Sequence, residues 1–349
     1  MKKVLVTGVS GQDGSHMVDF LLKNTDCKIY GSVRRLSVRN HENIRHVLNN
    51  ERFELIDMDL NDAHSIRDVI MSISPDYFIN FAAQSFVAGS WKYPIQTWET
   101  DADAVLHILE SIRRFAPECR FYNAGSSEEF GDVRYSPQDE SHPLCPQSPY
   151  GAAKCAARHL VRVYRESYNL FAIQGWLFNH EGTRRGIDFV TRKISNGVAK
   201  IRLAYEDQLN DLPYLELGNL DAKRDWSDAE DFMAGVWLML NANEPKNYVL
   251  ASGEMHTVRE FFETCLREAR LEYRQEGSGI EEKYYCTKNG RNSLILKINP
   301  EFYRPAEVHK LQGDCSLIEK ELGWQRKNTF HALVKKMYNN DYKLLNSRL

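Results

Sequence analysis

The feature that most constrains the fold is a glycine-rich segment directly after a short apolar run near the start of the chain. The apolar run covers residues 4–6, and the segment at residues 8–14 has the spacing GxxGxxG. Glycines let the backbone turn tightly and approach a pyrophosphate at the N-terminus of the following helix. The pattern therefore predicts a dinucleotide-binding turn, with a plain strand-to-helix turn as the alternative. The residues expected at the cofactor are Gly8, Gly11, Gln12, Asp13 and Gly14.

The first half of the chain alternates between short apolar strands and helical stretches. Strands are predicted at 4–6, 28–33, 53–56, 77–81, 120–123 and 171–177, and helices at 17–22, 104–112 and 152–168. Alternation of this kind, with strands that are apolar throughout, predicts a parallel sheet covered by helices on both faces. The predicted fold class is α/β, a Rossmann-type doubly wound parallel sheet with a smaller α/β substrate-binding C-terminal lobe.

The pattern changes after about Asn179. Basic and aromatic residues then interleave in stretches that we interpret as loops, for example 183–193 and 273–304. A helical stretch at 232–240 and a strand at 248–251 indicate a return to the first domain. We therefore predict a cofactor-binding domain at 1–178, with the return at about 218–252, and a substrate-binding lobe at 179–217 and 253–349.

Composition excludes several classes of protein. The 349 residues carry 45 basic and 48 acidic side chains, a net charge of −3, which argues against a nucleic-acid partner. Nothing approaches the roughly 20 consecutive apolar residues of a membrane-spanning helix, so no membrane partner is expected. The seven cysteines include no CxxC pair, which favours reduced thiols, a soluble cytoplasmic protein and no metal site.

The end of the second predicted strand bears on the choice of cofactor. Folds that bind NAD usually carry an acidic residue there for the ribose, but this chain has Arg34 and Arg35. Because arginines pair with a 2′-phosphate, NADP is predicted, with a solvated basic turn as the alternative. Asp59 and Leu60 after the third strand are candidates for contact with the adenine, and Asp57 competes with Asp59.

A Tyr-x-x-x-Lys pair, Tyr150 and Lys154, supplies the candidate catalytic centre. Positions i and i+4 share one face of a helix, and an ammonium near a phenol lowers its pKa from about 10 toward neutrality. Upstream, Ser126 and Glu128 follow a predicted strand, at the sheet edge where ligands bind. Ser126 can hydrogen-bond a substrate oxygen, and Glu128 can take a carbon-bound proton.

At these residues the sequence resembles the GDP-mannose 4,6-dehydratase family of the extended short-chain dehydrogenase/reductase superfamily. The likeness covers nearly the whole chain. It includes TGVSGQDGS, the Arg34-Arg35 pair, SPYGAAK, LFNHEGTRRG followed by FVTRKIS, LGNLDAKRDW, YVLASGE with TVREF, and YRPAEV with LQGD. The later motifs are far more specific than the first, because general members of the superfamily lack them.

The resemblance implies dehydration of GDP-mannose by internal hydride transfer from C4 to C6 through bound NADP. Tyr150 would deprotonate O4, Glu128 would remove the C5 proton, and Lys154 would hold the nicotinamide ribose. The resemblance also places Phe81, Ala83, Ser85, His180 and Arg185 at the cofactor. For the GDP-sugar it implies Ser85, Ser126, Asn179, Val190, Lys193, Arg224, Arg304 and Glu307. A loop from Arg34 to about Ile44 would reach a neighbouring subunit in a homodimer or homotetramer.

Several residues depart from the family pattern. Leu36 replaces a serine, Phe86 a histidine, Glu129 an apolar residue and Ser227 a glycine. We expect Phe86, Glu129 and Ser227 near the sugar, which leaves a GDP-manno-heptose dehydratase as an alternative. A nucleotide-sugar epimerase or 4-reductase shares Tyr150 and Lys154 but needs no Glu128. A non-catalytic NADP sensor on the same fold can lose the tyrosine or the lysine, whereas this chain keeps Tyr150, Lys154 and Glu128.

Overall fold

The computed structural model describes residues 1–38, 40–209, 211–288, 291–302 and 311–347. Two residues assigned to the substrate from the sequence, Arg304 and Glu307, lie outside the described residues. Within the described ranges no helix is both long and apolar enough to cross a membrane.

The secondary structure alternates between strands and helices through the first half of the chain. The strands of the described residues are β1 (Lys3–Thr7), β2 (Lys28–Val33), β3 (Phe53–Asp57), β4 (Tyr77–Asn80), β5 (Arg120–Ala124), β6 (Ala172–Leu177), β7 (Asn179–Glu181), β8 (Leu215–Leu217), β9 (Lys223–Asp228), β10 (Val249–Leu250), β11 (Met255–Thr257), β12 (Tyr273–Glu276), β13 (Lys283–Lys288) and β14 (Arg291–Ile298). The helices are α1 (Gln12–Asn24), α2 (Ala63–Ile73), α3 (Val87–Lys92), α4 (Pro94–Trp98), α5 (Ala104–Phe115), α6 (Pro149–Tyr168), α7 (Val190–Glu206), α8 (Ala229–Leu240), α9 (Val258–Glu268), α10 (Ser316–Leu322) and α11 (Phe330–Asn346).

In the described residues, seven strands form a central sheet with the order β10-β6-β5-β4-β1-β2-β3. Every pairing in it is parallel. The chain builds outward from β1 in one direction and from β4 in the other, so the order reverses between these two strands. Ligands of doubly wound sheets bind at such a reversal, outside the carboxyl ends of the strands. The structure confirms the predicted α/β fold class.

Helices cover both faces of this sheet. Val4 and Val6 face a core that α1 and α8 complete, whereas Leu5 faces the opposite core, which contains residues of α2, α5 and α6. All three side chains are fully buried. Burial on both faces is the physical reason that these strands are apolar throughout and do not alternate.

The second half of the chain adds two smaller sheets within the described residues, with the orders β11-β9-β7 and β12-β13-β14-β8. Helices α7, α9 and α11 pack with the second of these around a separate core. Ile318 and Trp324 contact the core of the central sheet, although the stretch 253–349 was predicted as part of the second lobe.

The interpretation of 273–304 as loops is wrong, since β12, β13 and β14 lie there. Tyr284 and Cys286 of β13 are fully buried, whereas Lys283 is exposed. This is the two-residue alternation of a sheet with one face in the core and one in water. Because charged residues occupy the outer face, this two-residue alternation was difficult to recognise in the sequence. Likewise, α7 begins at Val190, inside the stretch 183–193 that was also predicted as a loop.

Candidate active site

A cavity of about 1480 Å³ lies between the carboxyl ends of the central strands and the second lobe. Its wall includes the turns after β1, β4 and β5 and the first residues of α6 and α7. The site residues predicted from the sequence that line it are Gly8, Gly11, Gln12, Asp13, Gly14, Phe81, Ala83, Ser85, Ser126, Glu128, Tyr150, Lys154, Asn179, His180, Arg185, Val190, Lys193 and Arg224. Tertiary structure therefore brings together residues that are more than 200 positions apart in the chain.

The glycine-rich turn leaves no space for side chains at two positions. Gly8 has a φ of +69°, and a Cβ on it would lie 2.9 Å from the backbone nitrogen of Ala82. A Cβ on Gly14 would lie 2.4 Å from the carbonyl oxygen of Gly8. The turn ends at Gly11, which precedes the first residue of α1. Backbone packed this closely at a helix N-terminus is suited to receive a phosphate group.

Asp13 and His180 form an ion pair beside this turn, with 2.9 Å between Oδ2 and Nε2. Burial alone would raise the pKa of Asp13, but the charge of His180 and the hydrogen bond to it hold that pKa well below its usual value. Burial alone would lower the pKa of His180, but Asp13 raises it above its ordinary value. The pair connects α1 to β7 in the wall of the cavity, although the two residues are 167 positions apart in the chain.

The turn after β5 carries Ser126 and Glu128. The Ser126 hydroxyl accepts a hydrogen bond of 3.2 Å from the backbone N–H of Glu128, which fixes a short 3-10 turn at Ser127–Glu129. Opposite it, Ser148 caps α6 by accepting from the N–H of Gly151 at 3.0 Å, and this places Tyr150 in the first turn of that helix. The candidate base and the candidate tyrosine thus lie on two rigid, capped turns.

Lys154 lies one helical turn after Tyr150, with its ammonium 5.7 Å from the centre of the tyrosine ring. The ammonium donates a hydrogen bond of 3.0 Å to the carbonyl oxygen of Ala124 at the end of β5. Burial raises the pKa of Tyr150 above its ordinary value, the charge of Asp101 adds to the rise, and a hydrogen bond with Ser126 opposes it. The pKa of Tyr150 in this chain is therefore raised and not lowered toward neutrality as expected from Lys154, because burial and the nearby carboxylates dominate.

Asp101 is a neighbour of this centre that the sequence analysis missed. It is 1% exposed and lies on a single π-helical turn, Glu99–Asp103, between α4 and α5. Burial raises its pKa to about 6, against the opposing positive charge of Lys154. Its Oδ1 accepts a hydrogen bond of 2.8 Å from the backbone N–H of Gln84. An acidic residue just before an apolar helical stretch was the only signal for it in the sequence.

The second lobe contributes a basic wall to the cavity. Lys193 lies on the first turn of α7 with its ammonium 4.2 Å from the ring centre of Phe302, and burial lowers its pKa. Arg184 and Arg192 also line the cavity, and neither was singled out in the sequence. These cations suit a substrate or cofactor that carries phosphate groups.

Four residues predicted at the cofactor do not line this cavity. Arg34 and Arg35 are exposed just after β2. Asp59 instead shapes its own turn, with its Oδ1 accepting from the N–H of Asn61 at 3.0 Å, and Leu60 is buried in the core on the α2 side of the sheet. These four residues follow β2 and β3 in the chain, as predicted from the sequence. The structure does not bring their side chains to the cavity wall.

A protein-family model described as GDP-mannose 4,6 dehydratase matches residues 5–337. This chain belongs to that family. Among curated GDP-mannose 4,6 dehydratases, the Drosophila melanogaster protein is 42% identical over 352 residues, with 99% of this chain and 87% of that protein covered. The Homo sapiens protein is 39% identical over 349 residues, with 98% and 91% covered. That of Yersinia enterocolitica is 39% identical over 356 residues, with 98% and 94% covered.

Solved structures share the fold of this GDP-mannose 4,6-dehydratase family member. DesIV, a dTDP-glucose 4,6-dehydratase from Streptomyces venezuelae with NAD and TYD bound, matches with a TM-score of 0.79 at 21% identity, covering 99% of this chain and 98% of that one. RMD from Pseudomonas aeruginosa, complexed with NADPH, matches with a TM-score of 0.76 at 20% identity over all of both chains. At this level of identity the likeness concerns the fold alone.

The departures from the GDP-mannose 4,6-dehydratase pattern lie in different places. Phe86 lines the cavity and packs edge-to-face on Phe189, with ring centres 5.9 Å apart. Glu129 and Ser227 are buried and do not line the cavity, so their side chains do not face its interior, and their nearness to the sugar stays a prediction. The carboxylate of Glu129 turns away from the cavity to pair with Arg158.

Proposed function

We propose that the protein dehydrates GDP-mannose to GDP-4-keto-6-deoxymannose as an NADP-dependent hydro-lyase. The observation that carries this proposal is one cavity that Ser126, Glu128, Tyr150 and Lys154 share with the glycine-rich turn. An epimerase or reductase uses the serine, tyrosine and lysine but does not need a carboxylate as a second base. Membership of the GDP-mannose 4,6 dehydratase family supports the same reaction.

The described residues fit a nicotinamide dinucleotide. A Cβ at Gly8 or Gly14 would clash with the backbone of Ala82 or of Gly8, so the tight turn into α1 that suits a pyrophosphate depends on these glycines, and Asp13 is fixed by His180 beside it. When bound, the nicotinamide would accept hydride from C4 in its oxidised form, whose positive charge would favour the phenolate of Tyr150, and would return that hydride to C6 from its reduced form. Lys154 is the residue we expect to hold the ribose next to it.

The side chains of the centre move the protons. Tyr150 takes the proton of O4 as C4 is oxidised, and the Ser126 hydroxyl, which hydrogen-bonds Tyr150, orients that oxygen. The new 4-keto group acidifies the C5 proton, which Glu128 removes. Glu128 then donates this proton to the C6 hydroxyl, which leaves as water. When the hydride adds to C6, C5 regains a proton, for which Tyr150 holds the one taken from O4. Because the hydride returns to the sugar, no cofactor is consumed.

The GDP part of the substrate is proposed to bind along the basic wall. Asn179, Val190 and Lys193 would line the guanosine side and Arg224 the diphosphate. Arg304 and Glu307 belong to the same hypothesis and stay predictions, since they lie outside the described residues. Contacts to this remote part of the substrate would hold the sugar through all three chemical steps.

Deuterium tracing is the test of this function. GDP-mannose deuterated at C4 is expected to give a product that has lost one water and carries the deuterium at C6, because the same hydride leaves and returns. Mass spectrometry and NMR of the product measure this, and absorbance at the nicotinamide band should show no net reduction. Stoichiometric release of reduced cofactor would refute the dehydratase reaction, and conversion of GDP-manno-heptose in preference to GDP-mannose would correct the substrate.

We propose NADP as the cofactor in preference to NAD. Arg34 and Arg35 follow β2 where NAD-binding folds carry an acidic residue, and they are exposed, so they are free to reach a 2′-phosphate. The double substitution Arg34→Ser/Arg35→Ser is expected to weaken NADPH binding by about 10- to 100-fold and NADH binding hardly at all. Fluorescence titration of both cofactors measures this.

A matched control is Arg274→Ser/Arg291→Ser, which removes two exposed arginines from the sheet of β12 to β14. It should leave both affinities unchanged. Equal affinity of the unaltered protein for NADPH and NADH would contradict the proposal.

We further propose that the protein forms a homodimer or homotetramer and is located in the cytoplasm. Leu36 and Val38, in the stretch after β2 expected at the interface, are 47% and 86% exposed, which supports a surface that another subunit covers. All seven cysteines are free, which supports a reducing compartment.

A further inference from the structure

A buried ion pair lies directly behind the turn that carries Ser126 and Glu128. Glu129 has no exposed surface, and Arg158 of α6 is 4% exposed. The guanidinium of Arg158 donates two hydrogen bonds to the carboxylate of Glu129, from Nε to Oε2 and from Nη2 to Oε1, the latter at 3.1 Å. Arg158 also stacks on the ring of Trp176, with 3.5 Å between the guanidinium carbon and the ring centre. Both partners are thus held in one orientation.

This pair is bonded to the backbone of the candidate active site. Oε1 of Glu129 accepts a hydrogen bond of 2.8 Å from the N–H of Ser126. The same oxygen accepts from the side-chain amide of Gln174 at 3.2 Å, and that amide also donates to the carbonyl oxygen of Lys154 at 3.0 Å. One carboxylate therefore links the turn after β5 to the helix that carries Tyr150 and Lys154.

The surrounding structure leaves this arrangement little freedom. Nη1 of Arg158 donates to the carbonyl oxygen of Gln174 at 2.7 Å, and Nη2 donates to that of Gly175 at 3.3 Å. A Cβ on Gly125 would lie 2.2 Å from the Gly175 oxygen and 2.7 Å from Oε1 of Glu129. Buried ion pairs contribute little net stability compared with apolar residues of the same volume. We therefore expect this ion pair to fix the geometry of the residues around it and not to raise the stability of the fold.

We propose that Glu129 and Arg158 are positioning residues, which set the distance between the Ser126–Glu128 turn and the Tyr150–Lys154 face of α6. The proposal rests on the dehydratase function proposed above. Neither side chain needs to touch the substrate, and neither lines the cavity. Since a displacement of about 1 Å in a catalytic group can lower a rate 10²-fold, loss of the pair should reduce kcat far more than it changes KM.

The decisive variant is the double substitution Glu129→Leu/Arg158→Met. Because both charges are removed, no unpaired charge stays buried, so the melting temperature should fall less than in the single variant Glu129→Gln, even though the carbonyl oxygens of Gln174 and Gly175 lose their donor. The N–H of Ser126 loses its acceptor, so kcat for GDP-mannose should fall about 10- to 100-fold with KM within about threefold. Glu129→Gln alone, which leaves the Arg158 charge unpaired, should lose both kcat and thermal stability.

Glu282→Gln is the matched control. It breaks another buried carboxylate–arginine pair, with Arg259, in the second lobe and away from the cavity. It should lower the melting temperature while kcat per folded molecule stays unchanged. The positioning role would be overturned if the double variant of Glu129 and Arg158 kept an unaltered kcat. It would also be overturned if the unfolded fraction of the protein accounted for the whole loss of kcat.

Hydrogen exchange of the unaltered protein provides a test that needs neither activity nor a folded variant. The N–H of Ser126, bonded to a fully buried carboxylate, should exchange more slowly than the exposed amide of Glu118 by several orders of magnitude. Rapid exchange at Ser126 would show that its N–H is not held by the carboxylate of Glu129, and would contradict the proposal. Failure of the unaltered protein to convert GDP-mannose would instead refute the proposed function and leave this measurement intact.

Discussion

The substitution Glu128→Gln is expected to stop dehydration while the fold and the cofactor affinity are retained. Glutamine keeps the size of the side chain but cannot accept the C5 proton, and general-base contributions are typically 10²- to 10⁴-fold in rate. We therefore expect kcat to fall by about three orders of magnitude. Glu128 lies at the cavity wall on a turn fixed by Ser126, so the loss is expected in the chemical step.

The step at which this variant stops can be observed directly. Oxidation at C4 precedes removal of the C5 proton, so reduced nicotinamide should accumulate on the enzyme, and C5 should not exchange deuterium with solvent. The control Glu118→Gln changes an exposed glutamate two residues before β5, at the opposite edge of the sheet, and should keep full activity. Unchanged turnover of Glu128→Gln would show that another group is the base.

Tyr150→Phe is expected to block the reaction one step earlier. The ring is 8% exposed and phenylalanine fills the same volume, so the fold should tolerate the change. Without the hydroxyl, O4 has no acceptor for its proton, and kcat should fall by about 10²- to 10⁴-fold. Stopped-flow absorbance should show no reduced nicotinamide at all, in contrast to Glu128→Gln.

Tyr164→Phe is the control on the same helix. Its hydroxyl donates to Glu110 at 3.0 Å, on the side of α6 that faces α5, and does not line the cavity. Activity should be unchanged. If Tyr150→Phe still reduces the cofactor when GDP-mannose is added, the proton acceptor for O4 has been assigned to the wrong residue.

The parts of this protein that the sequence could predict are those set by local spacing. Apolar runs that are buried on both faces gave β1 to β6 within a few residues, and GxxGxxG after the first run located the turn into α1. The spacing of Tyr150 and Lys154 places both on one face of α6, and both line the cavity. Prediction was poorer in the second lobe, where β12 to β14 expose charged residues on one face and resembled loops.

The sequence by itself determined the parallel sheet, the glycine-rich turn and the helical face of Tyr150 and Lys154, because each depends on residues within a few positions of one another. Only the tertiary structure decided where side chains at turns point. Glu129 follows Glu128 directly but pairs with Arg158 and Gln174, which are 29 and 45 positions away. Asp101 lies near Lys154 only because α6 packs against the π-helical turn. A carboxylate takes the partner that compensates its burial, and distant strands and helices supply that partner.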